Sequence, residues 1–114
     1  VRDHTKLRAF ELAEEVALII CAETRAFPSD EKFGLVAQMR RAAVSVGSNI
    51  VEGCARKTHD DHVRFLCIAH GSAREREFQA GLSVKLGFPI PQTLMDKCVE
   101  LSKALNGLIS SLSA

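Results

Sequence analysis

Toward the end of the chain, Leu94, Cys98, Leu101, Leu105, Leu108 and Leu112 follow one another at alternating four- and three-residue steps. A seam with an apolar residue at about every 3.5 positions belongs to near-parallel helices that seat knobs into holes. The rest of the chain therefore has to supply facing helices, and its composition makes helix the default. Trp and Tyr are absent, only 3 prolines and 7 glycines interrupt 114 residues, and alternating β-branched runs are few. A single domain is expected over residues 1–114, long enough to bury roughly two-thirds of its unfolded surface.

Three earlier segments have helical periodicity. From about Lys6 to Arg25, Leu7, Phe10, Ala13, Ala17, Ile20 and Thr24 fall on one stripe, and Leu12, Val16 and Ile19 widen it. Ala26-Phe27-Pro28 breaks that helix. Ser29 then has the character of an N-cap, with Asp30 and Glu31 suited to the first turn of a second helix. This helix is expected to run to about Gly53, with Leu35, Met39, Ala42, Ala43, Val46 and Ile50 on one face. Thr58-His59-Asp60-Asp61 reads as the cap of a third helix reaching about Leu86, where Gly87, Pro89 and Pro91 end it. The joints are short, so neighbours should be antiparallel, which gives an all-α up-down-up-down four-helix bundle.

Apolar residues exceed what one bundle core needs. Val44 and Val51 lie on the far side of the second helix, and the third helix carries Phe65, Leu66, Ile68, Ala69, Ala73, Phe78, Ala80, Leu82 and Leu86 round most of its circumference. Contiguous apolar surplus marks an interface, so a homo-oligomer is expected. Lys plus Arg number 15 and Asp plus Glu 14, and this balance provides no global field for nucleic acid or anionic membrane. The apolar run 16–22 is too short for a bilayer, and no charged-then-apolar leader opens the chain. A cytoplasmic location is expected, with Cys21, Cys54, Cys67 and Cys98 as inert free thiols.

Several groups are candidates for chemistry. His59 and His62 stand three apart with Asp60 and Asp61 between them, a spacing that can place two imidazoles on one metal. No second half of such a site appears elsewhere, and the acids suit the helix start. His70, near Arg74 and Glu77, has only Ser72 at hand as a nucleophile, so a structural role is favoured. Ser45, Asn49 and Glu52 form a polar row beside the apolar face of the second helix, flanked by Arg41 and Ser48. The row could orient water, but a hydrogen-bonded network fixing helix register is the favoured reading. Basic residues fall in small groups, Arg40-Arg41, Arg56-Lys57, and Arg64 with Arg74 and Arg76, each expected on a solvated face. Repeated round a ring, Arg40, Arg41, Arg56 and Lys57 are the candidate nucleic-acid contacts. No phosphate loop, nucleophile elbow or zinc-finger spacing occurs, so no metal, cofactor or small-molecule substrate is expected.

The stretch Arg40-Arg41-Ala42-Ala43-Val44-Ser45-Val46-Gly47-Ser48-Asn49-Ile50-Val51-Glu52-Gly53 resembles the second-helix signature of the bacterial four-helix bundle family, also called 23S rRNA intervening-sequence or S23 proteins. Phe65-Leu66-Cys67-Ile68-Ala69-His70-Gly71-Ser72 and Leu105-Asn106-Gly107-Leu108-Ile109 followed by Ser111-Leu112 are similar to two further blocks of that family. Phe27, Pro28, Gly34 and Leu35 agree with its first joint. The resemblance spans essentially the whole chain and implies an antiparallel four-helix bundle, a homopentameric ring and no established enzymatic activity. A related branch, the accessory protein of diversity-generating retroelements, is strongly basic, whereas this chain carries a formal charge of +1.

The expected function is a non-catalytic oligomeric scaffold or accessory protein, associated with an RNA or nucleoprotein partner. The alternative is a ring that binds nucleic acid directly and with little regard to sequence. A more distant alternative is a metal-dependent enzyme built on His59 and His62.

Overall fold

The structure is a computed structural model that describes residues 2–31 and 33–113. Four helices carry the fold: α1 (Arg8–Glu23), α2 (Leu35–Ala55), α3 (His59–Lys85) and α4 (Gln92–Ser113). Short 3-10 turns occupy His4–Lys6, Thr24–Ala26 and Ser29–Glu31, and no strand occurs among the described residues. None of these helices is long and apolar enough to cross a membrane.

Side-chain pairs fix the directions. Arg8 meets Glu100 at 2.8 Å and Lys97 meets Glu15 at 2.6 Å, so α1 and α4 run antiparallel. Ser45 with Ser72 and Met39 with Ser83 do the same for α2 and α3, and Glu77 with Ser102 together with His59 against Leu112 do so for α3 and α4. Arg40 reaches back to Thr24 across the first joint. Together these pairs describe an up-down-up-down four-helix bundle. At 27 residues, or about 40 Å at 1.5 Å per residue, α3 accounts for most of the 44 Å long axis.

The core contains the α4 seam as far as Leu105, with Leu108 and Leu112 half-buried toward the open end. It contains Val36, Met39, Ala43, Val46 and Ile50 of α2, together with Leu66, Ala69, Ala73 and Ala80 of α3. Thr58 caps α3 by accepting from the Asp61 amide at 3.1 Å, and Gly87 adopts a φ of +83° at the other end, a conformation open to glycine.

Three expectations are corrected. Ser29 does not cap the second helix, because α2 starts at Leu35 behind Gly34 and Ser29–Glu31 is a separate 3-10 turn. A continuous helix from Ser29 would hold Gly34 in its interior at a cost of about 1 kcal/mol, and the chain restarts there instead. On α1, Leu12 and Val16 are central core residues, because α1 packs between α2 and α4 and so buries a wide arc. The outer surplus of α1 therefore reduces to Leu18, which is 68% exposed. Finally, Arg76 is not on a solvated face. It is completely buried.

Candidate functional site

The polar row of α2 divides in two. Ser45 faces α3, its hydroxyl 3.0 Å from that of Ser72, and Asn49 donates to the Ser45 carbonyl at 2.8 Å and hydroxyl at 3.0 Å. Glu52 points out of the bundle and pairs with Arg56 at 3.0 Å. What the structure assembles is Ser45, Asn49 and Ser72, a half-buried clasp between α2 and α3 whose groups accept and donate to one another. No nucleophile–base pair results.

The basic candidates lie at opposite ends of α2, about 22 Å apart for a 15-residue separation. Arg40 is tied down, its guanidinium donating to the Thr24 hydroxyl at 3.0 Å and the Cys21 carbonyl at 3.4 Å. Arg41 is exposed. In the second joint, Arg56 pairs with Glu52 and with Asp61 at 3.7 Å, and it also covers the Phe65 ring. Arg64 covers the same ring at 4.5 Å and meets Asp61 at 3.5 Å. Arg2, which no sequence pattern singles out, joins this end by donating to the Arg56 carbonyl at 2.9 Å.

His59 and His62 are directed to different helices. His59 Nε2 lies 2.8 Å from the Leu112 carbonyl of α4, whereas His62 is buried against Gly53 of α2. Burial pushes the His62 imidazole below its ordinary range; Arg2 and His59 add to this and the Gly53 backbone opposes it. Among the described residues, no three His, Cys, Asp or Glu side chains converge as a metal site would require. Cys54 and Cys98 are buried, and burial pushes both thiols up; Cys67 is exposed.

One feature went unread in the sequence and a second was only half read, its α3 side as His70, Arg74 and Glu77. Arg76 sits inside the bundle with no hydrogen-bond partner for any of its three guanidinium nitrogens among the described residues. Its signal was the Ala69, Ala73, Arg76, Ala80, Ser83 row, four- and three-residue steps that continue the core stripe through a charged residue. The other feature is a polar groove between α3 and α4, where His70 meets residues of α4. Its α3 and α4 residues are far apart in sequence, and only helix pairing brings them together.

One solved structure with the same architecture is a protein of unknown function from the S23 ribosomal protein family of Bacteroides thetaiotaomicron VPI-5482. It is 23% identical, with a TM-score of 0.80, and the match covers 90% of this chain and 95% of that one. At that identity the likeness is one of fold. No curated protein matches the chain. The model of a family described as 23S rRNA-intervening sequence protein matches residues 5–107, nearly the full length. On that match, the chain belongs to the 23S rRNA-intervening sequence protein family.

Proposed function

We propose that the chain is a non-catalytic, cytoplasmic subunit of a ring-shaped homo-oligomer that serves as a scaffold or accessory for an RNA or nucleoprotein partner. The observation that carries this reading is the outer face of α3. Phe78 is 68% exposed and Ile68 43%, and Leu82 and Leu86 lie on the same outer arc, although α3 already packs against α2 and α4. An apolar arc left over after two helix contacts calls for a third partner, and a second copy of the chain provides one.

A second apolar ridge supports a ring over a two-fold dimer. Val44, 56% exposed, and Val51 share the Arg40 side of α2, the flank turned toward α1, whereas Ser45 is turned toward α3. Two different apolar faces on one chain favour a head-to-tail contact, and a closed head-to-tail contact is a ring. The family resemblance implies five copies.

Light scattering on a size-exclusion column tests the proposal. A mass several times that of the chain is expected, falling toward one chain for Phe78→Glu. A monomer mass for the unaltered protein at every concentration would end this reading.

A further inference from the structure

The polar groove between α3 and α4, about 310 Å³ in volume, is lined with more hydrogen-bond donors than it uses. His70, Arg74 and Glu77 enter it from α3 at four- and three-residue steps, so they share one face of that helix. From α4 come Val99, Ser102, Lys103 and Asn106, again at helical spacing. Ser102 is almost fully buried and donates to Glu77 at 3.0 Å, which fixes the carboxylate at the base of the groove. Arg74 is held to the same carboxylate only by a long contact of 3.8 Å, and its side chain is 65% exposed. Lys103 has no ion pair and His70 no hydrogen bond among the described residues.

Several other basic residues are already engaged; among the described residues Arg41 and Lys57 are not, and they stand at opposite ends of α2. Arg40 is bonded to α1, Arg8 and Lys97 bridge α1 and α4, and Arg56 and Arg64 share Asp61. In the α3–α4 groove the guanidinium fork and the ammonium stand on opposite walls with only one carboxylate between them. That donor surplus fits an acceptor-rich anion approached from two sides, and a terminal phosphate has the three oxygens to meet it. Val99, 37% exposed, adds an apolar surface for an organic body, while Glu77 and Asn106 can accept from a polar group on that body. The volume lies at the small end of ligand sites, enough for a molecule the size of a mononucleotide.

We infer that the α3–α4 groove is a binding site for a small organic phosphate monoester, with Arg74 and Lys103 holding the phosphate and Glu77 and Asn106 facing the organic part. The sequence singles out the α3 half of this site, His70, Arg74 and Glu77, but not the α4 residues that complete it.

Titrating the full chain with adenosine monophosphate, inorganic phosphate and adenosine, followed by amide chemical shifts, tests it. Adenosine monophosphate should shift the amides of residues 70–77 and 99–106 saturably, with inorganic phosphate binding more weakly and adenosine more weakly still. Loss of one charge-assisted contact costs about tenfold in affinity or more, so the Arg74→Ala/Lys103→Ala double variant should lose at least that much. Its melting temperature should stay the same, since both side chains are exposed. Absence of saturable shifts with adenosine monophosphate, adenosine binding as tightly as its monophosphate, or a double variant that binds like the unaltered chain would each overturn the assignment.

Discussion

Arg76 stands where the α3 row of Ala69, Ala73 and Ala80 would otherwise leave the core underfilled, and its long stem occupies that space. The head group is less well served, because none of its nitrogens has a partner among the described residues. Burial pushes the guanidinium below its ordinary range, with Cys98 and Glu77 acting the other way, yet arginine remains charged at neutral pH. The apolar contribution of the stem would be kept by methionine without the buried charge. Arg76→Met should therefore stabilise the fold by about 1–4 kcal/mol, the range for replacing a buried ion pair by well-packed apolar residues, since here no hydrogen bond is given up with the charge. A higher denaturation midpoint with an unchanged slope is the expected result, and a lower midpoint would show that the charge has a necessary partner. His62 gives a pH dependence with a definite sign. Its folded value lies below the unfolded value of about 6.5, so the unfolded chain takes up the proton first as pH falls. Stability from this group is complete above about pH 6.5 and declines as pH falls toward the folded value, after which it levels off. Melting curves across that window should show the decline, and His62→Gln should flatten it. A decline of equal size in the variant would assign the effect to other groups.

At the level of whole helices, α2 and α3 approach each other closely at Gly53. A Cβ added at Gly53 would lie 3.0 Å from the Phe65 Cβ and 3.2 Å from the His62 carbonyl, both on helical backbone or its first side-chain atom. The helix preference of alanine would gain about 1 kcal/mol at this position, whereas overpacking of a rigid contact costs about 1–3 kcal/mol. Overpacking wins because neither neighbour can swing away. Gly53→Ala should lower the denaturation midpoint, and an equal or higher midpoint would mean that the two helices part easily. Sequence periodicity had given this helix its core face and had placed the Thr58 cap and the Gly87 stop, because those depend on neighbours within a turn or two. It had also named Ser45, Asn49 and Glu52 as one structural row, of which the structure keeps Ser45 and Asn49 together and turns Glu52 outward to Arg56. It failed where the deciding neighbour was remote. Ser72 of α3, the α1 carbonyl that engages Arg40, and the α4 residues opposite Arg74 are set by helix pairing, which no local pattern encodes. Charge misled in one place, since a residue type that favours solvent stood at a core step of α3.

For the molecule as a whole, two attractions compete as explanations of what it gathers around itself. The first is apolar, through the α3 arc and the Val44–Val51 ridge, and it requires no ions. The second would be electrostatic, through Arg56 and Lys57, and there the structure supplies opposing charge. Arg56 is paired with Glu52 and Asp61, Arg64 is also paired with Asp61, and Asp60 stands beside them. With a formal charge of +1 per chain, copying that end round a ring multiplies a nearly neutral patch. Apolar association is indifferent to moderate salt, whereas phosphate binding loses affinity steeply as counterions are taken up again. The mass measured by light scattering should therefore be the same at low and high salt, and charge reversal at Arg56 and Lys57 should leave it unchanged. Filter binding of mixed RNA should show little retention at moderate salt, and whatever is retained at low salt should disappear in the charge-reversed protein. Tight RNA retention that persists as salt rises would mean that the protein reads nucleic acid through contacts other than these exposed charges, and the proposed scaffold role would give way to direct RNA binding.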